Sequence, residues 1–202
     1  MFVERRQSYP QAGFSLIEML VVVVILLILF TIYWGSSSGG HQQKLQANCR
    51  NNLQKLYLAL EIYASDHSAR FPAVTGARTA EEPLDLLVPR YTVDTSLFRC
   101  PGSDEAALPS GESLLKHKIS YAYYMGCSNT NGAQVLMSDR QIDGLPKTAG
   151  QLLFSSTGQP PGNNHNKFGG NLLFSDGHTE LSGARAPFPI PLATGVVLLN
   201  PK

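Results

Sequence analysis

Four side chains could do polar chemistry together: Asp139, His165, Asp176 and His178. Asp139 ends the apolar run QVLMSD, and Asp176 ends the run NLLFSD. If the two runs form adjacent strands, their carboxylates are expected at one sheet edge, flanked by the two imidazoles. Carboxylates with loop carbonyls suit calcium, and added imidazoles suit zinc or another divalent transition metal. The same residues also fit a plainer reading, with the aspartates in turns and the histidines bonded to backbone. Both readings stand on sequence alone: no cofactor is required, and the metal reading adds a structural calcium or other divalent ion. The three cysteines, Cys49, Cys100 and Cys127, are too few for a four-cysteine zinc site. The phosphate-binding loop, His-Glu-x-x-His and Cys-x-x-Cys are all missing from the sequence. No catalytic residue is nominated, and the chain is not expected to be an enzyme.

A different carboxylate is conspicuous by its surroundings. Glu18 interrupts the otherwise apolar run FSLIEMLVVVVILLILFTIYW, Phe14 to Trp34. As a helix these 21 residues span roughly 32 Å, enough for a bilayer core. Arg5 and Arg6 precede the run, so the positive-inside bias puts residues 1–13 in the cytoplasm and the remainder outside. A secretory signal peptide has a shorter apolar core of ~7–15 residues, although the small residues 35–40 would suit its cleavage site. A charge in lipid costs several kcal/mol unless it snorkels or is paired.

The run Gly13-Phe14-Ser15-Leu16-Ile17-Glu18 and the apolar stretch after it resemble the type III signal of type IV prepilins and type II secretion pseudopilins. The resemblance implies cleavage between Gly13 and Phe14 by a prepilin peptidase, followed by N-methylation of Phe14. Glu18 would then be an assembly residue, pairing with the new amino terminus of a neighbouring subunit. A buried carboxylate needs a cation, and cleavage creates one. Other implied partners are further copies of the subunit, a secretion ATPase and its inner-membrane platform. The implied location is the bacterial inner membrane, single-pass, with the carboxy-terminal domain periplasmic or extracellular. The leading function is a type II secretion pseudopilin. The alternatives are a type IV or competence pilin, and a membrane-anchored ligand- or metal-binding domain that never polymerises.

The segment CRNNLQKLYLALEIYASDHSARFP is similar to the soluble helix of pseudopilins, with Asp66, Phe71 and Pro72 at its exit. Phe98-Arg99-Cys100-Pro101 resembles the Cys-Pro loop of the same group. In a compartment that permits disulfides, Cys49 with Cys100 is the pair expected. Asn164 to Glu180 is similar to a carboxy-terminal signature of prepilin-like proteins, a histidine followed by Asp-Gly. Here ten residues separate His165 from Asp176, one more than that signature's usual gap.

The elements that must position these residues read as an α+β fold. A long hydrophobic helix occupies 14–34, after a leader at 1–13 and before a Gly/Ser joint at 35–40. A pilin-like domain fills 41–202. Leu45, Cys49, Leu53, Leu56, Leu60 and Tyr63 make one apolar stripe, which predicts an amphipathic second helix packed on a small antiparallel sheet. Gln46, Arg50, Gln54, Lys55, Glu61 and Ser65 take the other face. Strands are expected at 119–125, 134–138, 151–155, 171–175 and 178–181, and Asp176-Gly177 reads as a hairpin turn. Residues 81–88 suggest a short helix with acidic residues at its start, and 195–199 an edge strand or a contact surface.

The 202 residues allow one ordinary domain plus the amino-terminal helix. Sixteen basic against fifteen acidic residues give a formal charge of +1. Removing Glu4, Arg5 and Arg6 with the leader leaves 14 of each sign. Binding to nucleic acid by phosphate neutralisation is therefore not expected.

Overall fold

The computed structural model describes residues 15–34, 38–128 and 134–202. Gly13 and Phe14 lie outside the described residues, as do Gly35, Ser36 and Ser37 of the joint. The chain divides into two units, Met1–Gly40 and His41–Lys202.

In the first unit, helix α1 runs Leu16–Trp34 over 19 residues. The Ser15 carbonyl opens it, accepting the N–H of Glu18 at 2.9 Å. Nineteen residues make roughly 28 Å of helix, against a hydrocarbon core of ~30 Å. Among the described residues no helix is long and apolar enough to cross a membrane. The 21-residue span read from the sequence starts at Phe14, ahead of them.

Helix α2 spans Ser38–Asp66. It takes in Ser38, Gly39 and Gly40, which the sequence reading assigns to the joint. In a first turn the N–H groups have no intrahelical partner, so poor helix formers are tolerated there. Further along, spacings of three and four place Cys49, Leu53, Leu56, Leu60 and Ala64 in the core, all fully buried. Gln46 departs from its expected exposed face. It is buried, and its side-chain amide donates to the Phe168 carbonyl at 2.9 Å. Short helix α3, Glu81–Leu84, runs on into a 3-10 turn at Asp85–Leu87.

The sheet has strands β1 Tyr121–Met125, β2 Val135–Asp139, β3 Gly170–Phe174, β4 Thr179–Ser182 and β5 Val197–Leu199. Their spatial order is β4-β3-β2-β1-β5, and every pairing is antiparallel. Val197–Leu199 is thus an edge strand of its own domain. Strands β2 and β3 are buried along their whole length, so both sheet faces are covered. Tyr121 reaches α2 through its hydroxyl, while Tyr124 points to the opposite face beside Phe188 and Ile190. The expected strand at 151–155 is not one. Leu153 and Phe154 are fully buried, but the segment pairs only through an isolated bridge, Leu152 to Arg185. A short apolar run filling the core from a loop carries the same pattern as a buried strand.

Candidate functional site

Glu18 lies in the first turn of α1 and is exposed. No ion pair joins it to another described residue. A carboxylate at a helix amino terminus is favoured by the helix dipole, which tolerates its charge without neutralising it.

The four expected metal-site residues separate into two pairs. Asp139 ends β2 and Asp176 follows β3, and those strands are indeed neighbours. They run antiparallel, however, so their carboxy-terminal ends lie at opposite ends of the sheet. Asp139 sits beside Asn171 at the start of β3, and Asp176 lies beyond its far end.

The Asp176–His178 pair is exposed, with both side chains nearly half accessible. Asp176 Oδ1 accepts from His178 Nδ1 at 2.5 Å and from the His178 N–H at 3.1 Å. Partial burial would raise the Asp176 pKa, but His178 more than offsets it and the carboxyl is held below its usual range. The turn is shaped by Gly177, whose φ of +86° suits glycine. A methyl there would meet the Tyr57 ring at 2.5 Å.

Asp139 and His165 form the other pair, in the core. His165 Nε2 lies 3.2 Å from Asp139 Oδ2, and both side chains are inaccessible to solvent. Three donors converge on this carboxylate. The Asn171 N–H donates at 2.7 Å and its side-chain amide at 3.0 Å, both to Oδ2, while the Asn164 amide donates to Oδ1 at 2.8 Å. Asn164 also donates to the Ser120 carbonyl at 2.7 Å, which binds the 163–166 turn to the residue just ahead of β1. In that turn Asn166 adopts φ +59°, a left-handed conformation that asparagine tolerates, and His165 is thereby carried into the core.

Cys49 and Cys100 complete the cluster and are joined as a disulfide, with Cα atoms 5.2 Å apart. Cys49 comes from the buried stripe of α2. Cys100 comes from the Cys-Pro loop, tied to α2 by the Asn52 amide donating to the Arg99 carbonyl at 3.1 Å. Cys100 Sγ is 3.3 Å from His165 Nε2, and Cys49 Sγ is 3.6 Å from Asp139 Oδ1. The Tyr121 hydroxyl donates to Cys49 Sγ at 3.2 Å, and the Gly102 N–H to Cys100 Sγ at 3.3 Å. Burial, with the Asp139 charge adding to it, pushes the Tyr121 phenol well above its usual pKa, so it remains a donor. Cys127 is a free, buried thiol, pushed up to about 11 by that burial.

Sequence reasoning placed Asp139 and His165 in one candidate site and the two cysteines in one pair, but not all four together. Its missing signals were the asparagines. Asn164 adjoins His165, and Asn171 opens an otherwise apolar strand. Buried amides in such places need hydrogen-bond partners, and here the partner is Asp139.

An α+β chain with a long amino-terminal helix ahead of a second helix and a five-stranded antiparallel sheet is pilin-like. Residues 9–33 match the family described as the prokaryotic N-terminal methylation motif. That motif supports a prepilin-type, type IV pilin-like protein, and it implies a membrane-anchored amino terminus. The match ends ahead of α2 and does not reach the Asn164–Glu180 segment. No characterised protein and no solved structure matches the chain.

Proposed function

We propose that this chain is a pseudopilin-type subunit that is processed and then assembled into a type II secretion pseudopilus for protein export. The methylation motif carries the reading, because residues 9–33 span both the Gly13-Phe14 junction and Glu18. A prepilin peptidase cuts that junction and N-methylates Phe14. The freed amino group supplies a cation that Glu18 lacks among the described residues. As α1 helices pack side by side, each Glu18 meets the amino terminus of a neighbour, which offsets the cost of burying both charges. The subunit has no catalytic step of its own. A partner ATPase drives assembly from the inner-membrane platform, and the growing rod pushes the exported protein outward.

Glu18→Ala tests this directly. It leaves the cleavage junction intact but removes the acid, and losing one partner of a buried ion pair costs about 3–5 kcal/mol. The expected variant is cleaved and membrane-held, forms no filament, and abolishes export by the host system. Normal filaments from Glu18→Ala would overturn the assembly role. Lost filaments with undiminished export would exclude the secretion role in favour of a pilus.

A further inference from the structure

We propose that Cys49, Cys100, Asp139 and His165 form a buried zinc site in the dithiol form of the chain. The proposal does not depend on how the amino terminus is processed. Four observations carry it.

The first is distance. One ligand atom from each residue lies within 4.8 Å of all the others. A tetrahedral centre with Zn–N and Zn–O near 2.0–2.1 Å and Zn–S near 2.3 Å has nitrogen–oxygen edges of about 3.3 Å and edges to sulfur of about 3.6 Å. The corresponding separations here are 3.2 Å from His165 Nε2 to Asp139 Oδ2 and 3.3 Å from His165 Nε2 to Cys100 Sγ, while the other carboxylate oxygen, Oδ1, lies 3.6 Å from Cys49 Sγ.

The second is chemistry. Two thiolates, an imidazole and a carboxylate are a mixed sulfur, nitrogen and oxygen set, which suits zinc and does not suit calcium or magnesium.

The third is the surrounding shell. Asn164 and Asn171 aim three donors at Asp139, and Tyr121 and Gly102 aim one at each sulfur. Donors arranged in this way orient anionic ligands.

The fourth is what a disulfide leaves over. The bond between the sulfurs uses neither Asp139 nor His165. It leaves a fully buried carboxylate and imidazole whose pairing alone is a poor source of stability, with His165 Nδ1 unpartnered.

The two forms interconvert by a balanced step. A dithiol reductant passes two electrons and two protons to the Cys49–Cys100 bond, giving two thiols and the reductant's own disulfide. Zinc then displaces both thiol protons to solvent, while His165 donates the Nε2 lone pair and Asp139 one oxygen. The metal thus ties α2, the Cys-Pro loop, the end of β2 and the 163–166 turn together, as the disulfide ties the first two.

The test uses the full chain in detergent, stripped of metal and reduced anaerobically with a phosphine. It is titrated with zinc and, in parallel, with cobalt. The expected result is one zinc per chain, a higher melting midpoint with zinc, and a tetrahedral cobalt spectrum with sulfur-to-metal charge transfer. Cys127→Ser should bind as wild type does, and Cys100→Ser or His165→Ala at least tenfold more weakly. The disulfide form should lose the zinc. The proposal is overturned if reduced wild type takes up no zinc, or if its cobalt spectrum lacks sulfur charge transfer. It fails equally if the oxidised chain binds as well as the reduced one, a comparison that needs no variant.

Discussion

Replacing Asp139 with asparagine changes one heavy atom and should cost the fold more than almost any other isosteric change. The carboxylate is wholly buried, accepts from three donors and faces His165 at 3.2 Å. An asparagine oxygen can keep the two bonds from Asn171. Its NH2 must then face the Asn164 amide, donor against donor, and the partner of His165 becomes neutral. Losing a hydrogen bond to a buried charged group costs about 1.5–3 kcal/mol, and an unsatisfied buried donor about 1–3 kcal/mol. About 4 kcal/mol is a large share of the 5–15 kcal/mol that holds a domain together. At about 2–4 °C per kcal/mol for a domain of this size, the midpoint should fall by about 8–16 °C. The assay is thermal unfolding of the oxidised full chain in detergent, followed by circular dichroism. Asp176→Asn is the internal control, because it has the same chemistry and the same Ser-Asp context but is exposed, where an ion pair contributes only about 0–1 kcal/mol. If the two variants melt within about 2 °C of each other, the account of the buried centre is wrong.

Other consequences are open to measurement. Gly170→Ala should destabilise by about 1–3 kcal/mol, because the new methyl would sit 2.9 Å from both Asp139 Cβ and Phe154 Cζ. Phe154→Leu should partly relieve that cost in a double-mutant cycle, and full additivity would refute the clash. Cys127, pushed up to about 11, should react with a thiol reagent at pH 8 about a hundredfold more slowly in the folded oxidised chain than in the unfolded one. Equal rates would show an open thiol. Asp143 accepts from the Lys147 ammonium at 2.7 Å and from the Leu145 N–H at 2.8 Å. Burial works against these bonds, yet they hold its carboxyl below the usual 3.8. The folded form therefore binds fewer protons than the unfolded one in acid. Its contribution is complete above the usual carboxylate range and is lost as pH falls through the lowered value. Asp143→Asn should thus cost about 0.5–1 kcal/mol near pH 7 and nothing near pH 2, as read by urea unfolding at the two pH values. A gap that persists in acid would contradict the assignment.

Much of the architecture is legible in the sequence because burial leaves a periodic mark. The stripe Cys49, Leu53, Leu56 and Leu60 announces α2, and the Asp176-Gly177 turn announces the β3–β4 hairpin. What periodicity does not encode is which way a neighbouring strand runs. Two Ser-Asp strand ends look alike in sequence, yet antiparallel pairing sends Asp139 into the core and Asp176 to the far, exposed end. Nor does apolarity separate strand from loop. Leu153 and Phe154 fill the core without joining the ladder, since their N–H groups go to the Ala184 carbonyl. Gln46 belongs to the polar face by composition and is buried because the Phe168 carbonyl accepts from its side-chain amide there, while its own backbone carbonyl accepts from Asn171. The buried cluster itself joins residues from position 49 to position 165, a separation no local pattern can bridge.

Everything said of assembly depends on the amino group that processing exposes. The most direct measurement is mass spectrometry of the mature polypeptide's amino terminus, purified from its host. The account predicts a chain that begins at Phe14 and is heavier than the bare sequence by one CH2, a methyl in place of an amino hydrogen. An intact leader starting at Met1, or a start at residue 36 or later, would contradict it.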